Sequence, residues 1–372
     1  MSDIPFIDLA AQRRVLGNRI QKAISKVLDH GSYSMGPEVF ELESLLSVRA
    51  QRRHCVTCAS GTDALQMALM ALGVRPGDRV VVPDFTFVAT AEAVRLVGAT
   101  PVFADVDPVT YNLDPESAEL AWELPGPPPI GIIAVDLFGH PARSSELERL
   151  ALRHDAWLVV DGAQSFGATR DGRSGMAHGA MATTSFYPSK PLGAYGDGGA
   201  VFCDDDHLAS TLRSIRNHGA DVSSNQHERV GLTGRLDTLQ AAVLLAKLEI
   251  FDPEIRGRQQ VAARYSGELA GLVTPPTVAV GVESVWAQYT VEVERRETVR
   301  SALADAGVPT CVHYPHPVHS NAAYRECPVV SDGAPVAMRA SSRVMSLPLH
   351  PYLEESVQDR IISALQAVLS GR

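Results

Sequence analysis

One lysine lies in a segment whose composition suits covalent chemistry. Lys190 belongs to the turn-rich segment 184–199, which reads TSFYPSKPLGAYGDGG. Arginine is abundant, but the only lysines are Lys22, Lys26, Lys190 and Lys247. An amine can lose its proton and act as a nucleophile, whereas a guanidinium stays charged. The pattern therefore favours a Schiff base at Lys190 over an ordinary lysine in a surface loop.

A carboxylate precedes this lysine by 29 positions and directly follows an apolar run. That run, residues 156–160, predicts a buried strand that ends just before Asp161. Ligands of open α/β sheets bind beyond the carboxyl ends of the strands, which is where Asp161 would lie. A carboxylate there can hold a proton on a pyridine nitrogen, as in enzymes that use pyridoxal phosphate (PLP). Asp161 could instead be a helix N-cap, but its occurrence together with Lys190 favours the PLP role.

Two further segments could hold a phosphate and the face of a ring. A strand, a glycine turn and a helix start are predicted around Gly61. The N–H groups of Gly61, Thr62 and Asp63 would then lie at the positive end of a helix dipole, which suits a phosphate. Ser185, five positions before the lysine, could add a hydroxyl. Phe87 follows another strand and either stacks on the cofactor or packs in the core.

Length, charge and cysteine content bound the classes of protein. A chain of 372 residues with 45% hydrophobic residues is expected to form two domains around large cores. The formal net charge of −10 argues against non-specific binding to nucleic acid. Neither a signal peptide nor an apolar run long enough for a bilayer is evident, so we expect a cytoplasmic protein without membrane contact. Cys55 and Cys58 are expected to pack in the core, because no further ligands complete a metal site.

Short apolar runs alternate with amphipathic stretches through the first half of the chain. Such alternation predicts βαβ units, and hence an α/β fold with a mainly parallel sheet covered by helices on both faces. Residues 235–269 read as one long helical stretch that Pro253 bends or interrupts. Strand-like runs at 288–293 and 309–313 indicate a smaller α+β domain. We therefore predict a large domain over residues 1–250 and a small C-terminal domain over 251–372.

Taken together, these motifs resemble the sugar aminotransferase family known as DegT/DnrJ/StrS. The resemblance extends over nearly the whole chain, and it implies the aspartate-aminotransferase-like fold (fold type I). Singly, only the lysine loop is specific. The motifs that carry the resemblance are FIDL at 6–9, GPEV at 36–39, SGTDAL at 60–65, TFVAT at 86–90, DGAQ at 161–164, SFYPSK at 185–190, RLDTLQAA at 235–242, HYP at 313–315 and LPLHP at 347–351.

The resemblance implies roles for the residues that match the family's motifs. Lys190 would form the imine with PLP, and Asp161 would pair with the pyridinium nitrogen. Gln164 would contact the phenolic oxygen, while Phe87 would stack on the ring. The phosphate would be held by Gly61, Thr62 and Ser185.

The resemblance also implies a homodimer whose two active sites are shared. The loop from Thr233 to Arg235 would reach into the partner's site. Family members commonly have asparagine where this chain has Thr233, and that amide touches the partner's phosphate. A threonine hydroxyl is shorter, so this contact is in doubt.

Within the family, the chain is most similar to aminotransferases that act on a UDP-linked 2-acetamido-3-oxo-glucuronic acid. In that group the residues matching Arg235, His313 and Tyr314 meet the sugar acid. An arginine suits a carboxylate because its planar fork can pair with both oxygens. A salt bridge at the start of a helix is the alternative role for Arg235.

The implied reaction moves the amino group of L-glutamate to the cofactor, giving pyridoxamine phosphate, and then to a keto-sugar. Keto-cyclitols and antibiotic sugars are alternative acceptors. A pyridoxamine-dependent sugar dehydratase shares the fold but carries histidine at the lysine position. A cystathionine-type lyase is a further alternative, which the lysine loop and the segment after Arg235 disfavour. A non-enzymatic scaffold is disfavoured by the coherent set of Lys190, Asp161 and the phosphate loop.

Overall fold

The computed structural model describes residues 4–221, 226–330 and 333–371. Most strands are short runs rich in Val, Ile and Thr, whose branched side chains suit a pleated backbone. The strands are β1 (His54–Cys58), β2 (Arg79–Pro83), β3 (Thr100–Ala104), β4 (Gly131–Val135), β5 (Trp157–Asp161), β6 (Thr169–Arg170), β7 (Arg173–Ser174), β8 (Met181–Ser185), β9 (Gly199–Cys203), β10 (Val282–Glu283), β11 (Tyr289–Glu292) and β12 (Val344–Leu347).

Seven of these strands form the central sheet, in the spatial order β1-β9-β8-β5-β4-β2-β3. Only β9 runs against its neighbours, since it pairs antiparallel with both β1 and β8. The other pairs are parallel, so their carboxyl ends meet at one edge. The predicted α/β class with a mainly parallel sheet is confirmed.

Helices cover both faces of the sheet, because successive side chains of a buried strand point to opposite sides. On β2, Val81 packs into the cluster on one face, while Val80 and Val82 pack into the cluster on the other. The helices are α1 (Leu9–Leu16), α2 (Arg19–His30), α3 (Pro37–Ala50), α4 (Gly61–Ala71), α5 (Ala89–Leu96), α6 (Pro115–Glu119), α7 (Ser144–Arg153), α8 (Asp206–Arg216), α9 (Thr238–Leu248), α10 (Phe251–Glu268), α11 (Arg296–Asp305), α12 (Pro335–Arg343) and α13 (Glu355–Leu369). The first face takes α3, α7 and α9, and the second takes α4, α5 and α8.

A separate hydrophobic cluster surrounds the two-stranded sheet of β11 and β12. It contains Tyr265 of α10, Leu303 of α11 and Ile361 of α13, and Ile4 from the beginning of the chain joins it. Phe251, the first residue of α10, instead packs into the cluster of the large sheet. Helix α10 therefore contributes to both clusters, and the division of the chain at residue 250 stays a prediction.

Two local predictions need correction. The helical stretch predicted for 235–269 is two helices, and the break lies before α10 rather than at Pro253. Pro253 lies in the first turn of α10. An N–H at that position would have no intrahelical acceptor, so proline is tolerated there. The strand predicted for 309–313 is wrong, because it is reduced to a single bridge from Cys311 to Ser346. Pro309 cannot donate a ladder hydrogen bond, which limits the pairing.

The Cys55 and Cys58 pair lies on β1, and both side chains are buried. Cys55 packs on one face of the large sheet and Cys58 on the other. Two residues three positions apart on a strand point to opposite sides, so the two thiols do not converge. Their predicted place in the core is confirmed.

Candidate active site

The carboxyl edge of the large sheet brings together the residues of the predicted cofactor site. Strand β5 ends at Asp161, and the neighbouring parallel strand β8 ends at Ser185. Strand β2 ends at Pro83 and leads to Phe87 on the same edge. Residues that are distant in the sequence thus converge because parallel strands end side by side.

Asp161 is a buried carboxylate held in one orientation by two donors. The Thr90 hydroxyl donates to Oδ2 at 3.0 Å, and the Ala163 N–H donates to Oδ1 at 3.1 Å. Burial raises the pKa of the Asp161 carboxyl, while these two hydrogen bonds and the charge of Lys190 oppose the rise. A carboxylate fixed in this way is ready to pair with a cationic donor.

Lys190 lies in the loop between β8 and β9, and its backbone N–H donates to the Tyr187 carbonyl at 2.9 Å. Burial lowers the pKa of the Lys190 amine, and the nearby charge of Asp161 opposes this effect. The two groups therefore sense each other's charge. A lysine with a lowered pKa loses its proton more readily, as a Schiff base or a general base requires.

The first turn of α4 lies directly against Ser185. A Cβ added at Gly61 would come within 2.7 Å of the Ser185 Cβ, so only glycine fits. The first N–H groups of a helix have no intrahelical acceptor, which leaves those of Gly61 and Thr62 for a ligand. The expectation for Asp63 is wrong, because its N–H donates to the hydroxyl of Ser60, the N-cap, at 3.0 Å.

Gln164 links the sheet edge to the segment that follows α11. Its Oε1 accepts from the Phe138 N–H at 2.6 Å, and its Nε2 donates to the Tyr314 hydroxyl at 3.0 Å. The Tyr314 ring lies 5.9 Å from the ring of Phe87, centroid to centroid. Phe87 is 54% exposed, so its ring is available to a ligand. Stacking on a cofactor remains a prediction for this residue.

His313 belongs to the same cluster, and its imidazole is neutral. Its Nδ1 and the Ser346 hydroxyl are hydrogen-bonded at 2.9 Å. Burial, together with the charge of Lys190, lowers the pKa of His313 to about 4. Contact of His313 with substrate stays a prediction.

Thr233 and Arg235 are bonded to the segment that follows α8. The Thr233 hydroxyl is hydrogen-bonded to His218 Nε2 at 3.0 Å, and Arg235 donates to Asn217 Oδ1 at 2.9 Å. Within the described ranges Arg235 forms no ion pair, so the salt bridge considered as its alternative role is not observed.

Some residues that support Asp161 and the lysine loop were not predicted from the sequence. Thr90 fixes Asp161, and it ends the run TFVAT, whose hydroxyl at that position was a usable signal. On the other side of the lysine loop, Lys247 Nζ donates to the Gly193 carbonyl at 2.6 Å. Gln240 Oε1 accepts from the Tyr195 N–H at 2.8 Å. Helix α9 therefore anchors the loop that carries Lys190.

The part of the chain that the structure describes contains neither a membrane-spanning helix nor a metal-binding cluster. Its helices include none with both the length and the apolar character that crossing a bilayer requires. Its His, Cys, Asp and Glu side chains form no cluster of three or more that could hold a metal ion.

A mostly parallel seven-stranded sheet, with a lysine loop and a buried aspartate at its carboxyl edge, defines an α/β enzyme of the aspartate-aminotransferase-like fold, fold type I. The chain belongs to the DegT/DnrJ/EryC1/StrS aminotransferase family, whose model matches residues 15–366. The family resemblance drawn from the motifs is confirmed.

Two curated relatives illustrate the activities found among similar chains. The UDP-2-acetamido-2-deoxy-3-oxo-D-glucuronate aminotransferase of Pseudomonas aeruginosa is 48% identical, with 97% of this chain and 99% of the relative covered. The dTDP-3-amino-3,4,6-trideoxy-alpha-D-glucose transaminase of Streptomyces venezuelae is 40% identical, with 98% of this chain and 95% of the relative covered.

Solved structures agree with this assignment over the full length of the chain. A DegT/DnrJ/EryC1/StrS aminotransferase from Brucella abortus superposes with a TM-score of 0.96 at 46% identity, covering 98% of this chain and 99% of that one. NtdA of Bacillus subtilis, solved with bound cofactor PMP, has a TM-score of 0.89 at 28% identity, covering 100% of this chain and 86% of that one.

Proposed function

We propose that this protein uses PLP to move the amino group of L-glutamate onto the keto group of a UDP-linked 2-acetamido-3-oxo-hexuronate, in aminosugar biosynthesis. The observation that carries the proposal is that the Lys190 amine and the Asp161 carboxyl, both buried and within reach of each other's charge, occur at the carboxyl edge of the sheet. The similarity to the Pseudomonas aeruginosa enzyme supports the choice of acceptor. A cytoplasmic location remains part of the proposal.

The residues at the sheet edge fit PLP. Asp161, buried and bonded to Thr90, would keep a proton on the ring nitrogen. The free N–H groups of Gly61 and Thr62 would hold the phosphate together with the Ser185 hydroxyl. The remaining ring contacts are assigned to Phe87 on one face and Gln164 at the phenolic oxygen.

When bound, PLP supplies a sink for the electrons left on the carbon that loses its proton. The Nζ of Lys190 would take that proton from the Cα of the donor. The same atom would then give the proton to the neighbouring reacting carbon. Its lowered pKa suits this work, because a general base must be free of its proton near neutral pH. The charge of Asp161 opposes this lowering, but the effect of burial on the amine is the larger of the two.

The acceptor would be met from the side of His313 and Tyr314. His313 is neutral and its Nδ1 is bonded to Ser346, so its Nε2 is left for one hydrogen bond with a sugar hydroxyl. Burial raises the pKa of the Tyr314 hydroxyl, which therefore stays a donor. Arg235 has no carboxylate partner among the described residues, and we assign its guanidinium to the uronate of the acceptor.

The position of Arg235 supports a homodimer in which each chain completes the other's site. Arg235 and Thr233 bond to the segment after α8, and Arg235 forms no ion pair among the described residues. Aromatic side chains near the lysine loop are exposed in the single chain, Tyr187 by 54% and Tyr195 by 38%. The proposed partner would cover these rings and receive the loop of Thr233 and Arg235, with the Thr233 contact to phosphate left as a prediction.

Gly61→Ala should weaken PLP binding, because the new Cβ would press against Ser185 and move the first turn of α4. Forced overpacking costs about 1–3 kcal/mol, which corresponds to about 5–150-fold in the dissociation constant of PLP. Titration of the apoprotein with PLP, followed by absorbance, measures this constant.

Gly267→Ala is the matched control for that variant. Gly267 lies in α10, and a Cβ there would meet nothing within 4 Å. Its PLP affinity should equal that of the parent, and its stability should rise slightly, as expected for alanine in an exposed helix. Equal PLP affinity for both variants would remove Gly61 from the phosphate site.

A panel of keto-sugars tests the acceptor. The pyridoxamine form, prepared by treating the yellow enzyme with glutamate, should regain PLP absorbance fastest with the UDP-linked 3-oxo-uronate. Arg235→Gln should lose about 10–150-fold in kcat/KM for the uronate, the range expected for a charge-assisted hydrogen bond, and little for a neutral sugar.

Other outcomes of the panel point to other activities. Equal rates with dTDP-linked neutral sugars would favour the activity of the Streptomyces venezuelae relative, and a free keto-cyclitol would favour the cyclitol alternative. Loss of colour with glutamate but without 2-oxoglutarate would contradict transamination.

A further inference from the structure

We propose that a cavity behind Lys190 binds one ordered water molecule, which His350 and Gln12 hold and which positions the lysine amine. The inference rests on the proposed function, since the role of the water concerns the same lysine. We call this space the back cavity and define it by Gln12, Lys190, Glu254, Arg258, His350 and Tyr352.

The back cavity is closed by parts of the chain that are far apart in sequence. Its walls come from the segment before and within α1, from the lysine loop, from α10 and from the turn after β12. Its volume is about 10 Å³, which is room for about one water molecule. Lys190 is the only residue of the predicted active-site cluster that lines it.

Polar atoms without a protein partner line this small space. His350 is 3% exposed, and neither of its ring nitrogens has a hydrogen-bond partner among the described residues. Gln12 is 8% exposed; its Nε2 donates to Glu254 Oε1 at 2.8 Å, while its Oε1 has no partner in that same part of the chain. Most buried polar side-chain atoms are paired with protein or with ordered water. His350 and Gln12, from two distant segments, therefore both require a hydrogen-bond partner in the back cavity.

The charges around the back cavity balance, which favours a neutral occupant. The buried Arg258 donates to the Trp286 carbonyl at 3.2 Å and senses the charge of Glu254. Glu254 also accepts hydrogen bonds from Gln12 and Tyr352. An anion would face Glu254 and a cation would face Arg258, whereas water can donate and accept.

His350 presents a neutral ring to this water. Burial lowers the pKa of His350 to about 4, with the charge of Asp8 opposing the fall and that of Arg258 adding to it. A neutral imidazole has one donor and one acceptor nitrogen. Water hydrogen-bonded to His350 and to Gln12 Oε1 has capacity left for the amine of Lys190.

The water would give Lys190 a hydrogen-bond partner other than Asp161, which does not line the back cavity. During each half-reaction the amine must be released and then held in place to move a proton. An amine anchored on two sides samples fewer positions, and catalytic geometry is sensitive to small displacements. His350 and Gln12 are therefore positioning residues that act through the water.

A crystal structure of the PLP-bound enzyme at high resolution tests the site directly. We expect one peak of density within hydrogen-bond distance of a His350 ring nitrogen, of Gln12 Oε1 and of Lys190. His350→Leu removes both ring nitrogens, so the peak should vanish. A wild-type cavity without density, or one filled by a protein side chain, would overturn the proposal.

Kinetics of the same variant test the positioning role. For His350→Leu we expect kcat to fall by about 5–30-fold with KM for glutamate unchanged, the effect of one or two lost hydrogen bonds. His350→Asn keeps a donor and an acceptor and should recover part of kcat. Unchanged kcat in His350→Leu would refute the role.

His178→Leu is the matched control, because His178 is also a buried histidine with an unpartnered Nδ1 within the described ranges but lies near Glu148. It should change thermal stability without changing kcat. Density for the water in a protein that transfers no amino group would overturn the proposed function alone. Normal transfer by the wild type without that density would overturn the water site alone.

Discussion

Lys190→Ala should abolish measurable amino transfer while the protein stays folded. The variant removes the amine that takes and returns the proton, a contribution of about 10²–10⁴-fold for general acid–base catalysis alone. It also removes the group that would bind PLP covalently. The measurement is the rate of 2-oxoglutarate formation from glutamate, together with mass mapping of the peptide labelled after borohydride reduction.

Lys190→Arg separates the charge of this residue from its basicity. Arginine keeps the positive charge opposite Asp161 but cannot be deprotonated in a protein, so this variant should be as inactive as the alanine variant. Added primary amines should restore part of the activity to Lys190→Ala, because they can supply the missing base. Near-normal turnover in either variant, or a reduced label on another lysine, would refute the assignment.

Asp161→Asn should lower kcat/KM by about 10²–10³-fold without unfolding the protein. Removing one partner of a buried ion pair costs about 3–5 kcal/mol, and in this variant the cost falls on the cationic ring nitrogen of the cofactor. The side chain keeps its shape, so its oxygen can still accept from the Ala163 N–H. Steady-state kinetics at saturating PLP measure the loss.

The stability and pH profile of Asp161→Asn give further readouts. Burial raises the pKa of Asp161 in the folded apoprotein, so the charged form opposes folding above its ordinary pKa. Replacing it by a neutral amide should therefore leave the apoprotein at least as stable at neutral pH. The carboxylate also opposes the fall in the pKa of Lys190, so the loss of the carboxylate should move the acidic limb of any remaining activity to lower pH.

Asp136→Asn is the control for the loss of a buried acid at the same sheet edge. Asp136 follows β4, and its carboxylate accepts from the Ser165 hydroxyl at 2.7 Å and from the Ala142 N–H at 2.8 Å. Burial raises its pKa to about 7. The change should affect stability while kcat/KM stays within a few-fold of the parent. Equal losses in both variants would mean that Asp161 has no specific role.

Local patterns carried most of the fold prediction. The Val-rich run of β2 and the Ile-rich run of β4 were recognised because a strand buried on both faces is continuously apolar. Their alternation with amphipathic helices was enough for a mainly parallel sheet. The run 309–313 also has β-branched side chains, but Pro309 cannot donate a ladder hydrogen bond, and only Cys311 pairs, with Ser346.

Lys190 and Asp161 could also be identified as candidate site residues from the sequence. Lys190 is one of only four lysines, and Asp161 directly follows an apolar run, so residue type and local order already indicated PLP chemistry. The contacts that support the site could not be predicted from the sequence, although the Thr90 hydroxyl in the run TFVAT was a usable signal. Thr90 and Lys247 act through contacts with Asp161 and the Gly193 carbonyl, and no spacing rule connects them.

Residue chemistry and short-range order thus sufficed for the family, the fold class and the candidate lysine and aspartate, because these depend on side-chain type and on neighbours along the chain. Tertiary packing decided how the candidates are oriented and charged. Burial moves the pKa values of Lys190 and Asp161, and the closing of four distant segments forms the back cavity around His350. Desolvation and cavities belong to three-dimensional neighbours, so they emerge only once the chain has folded.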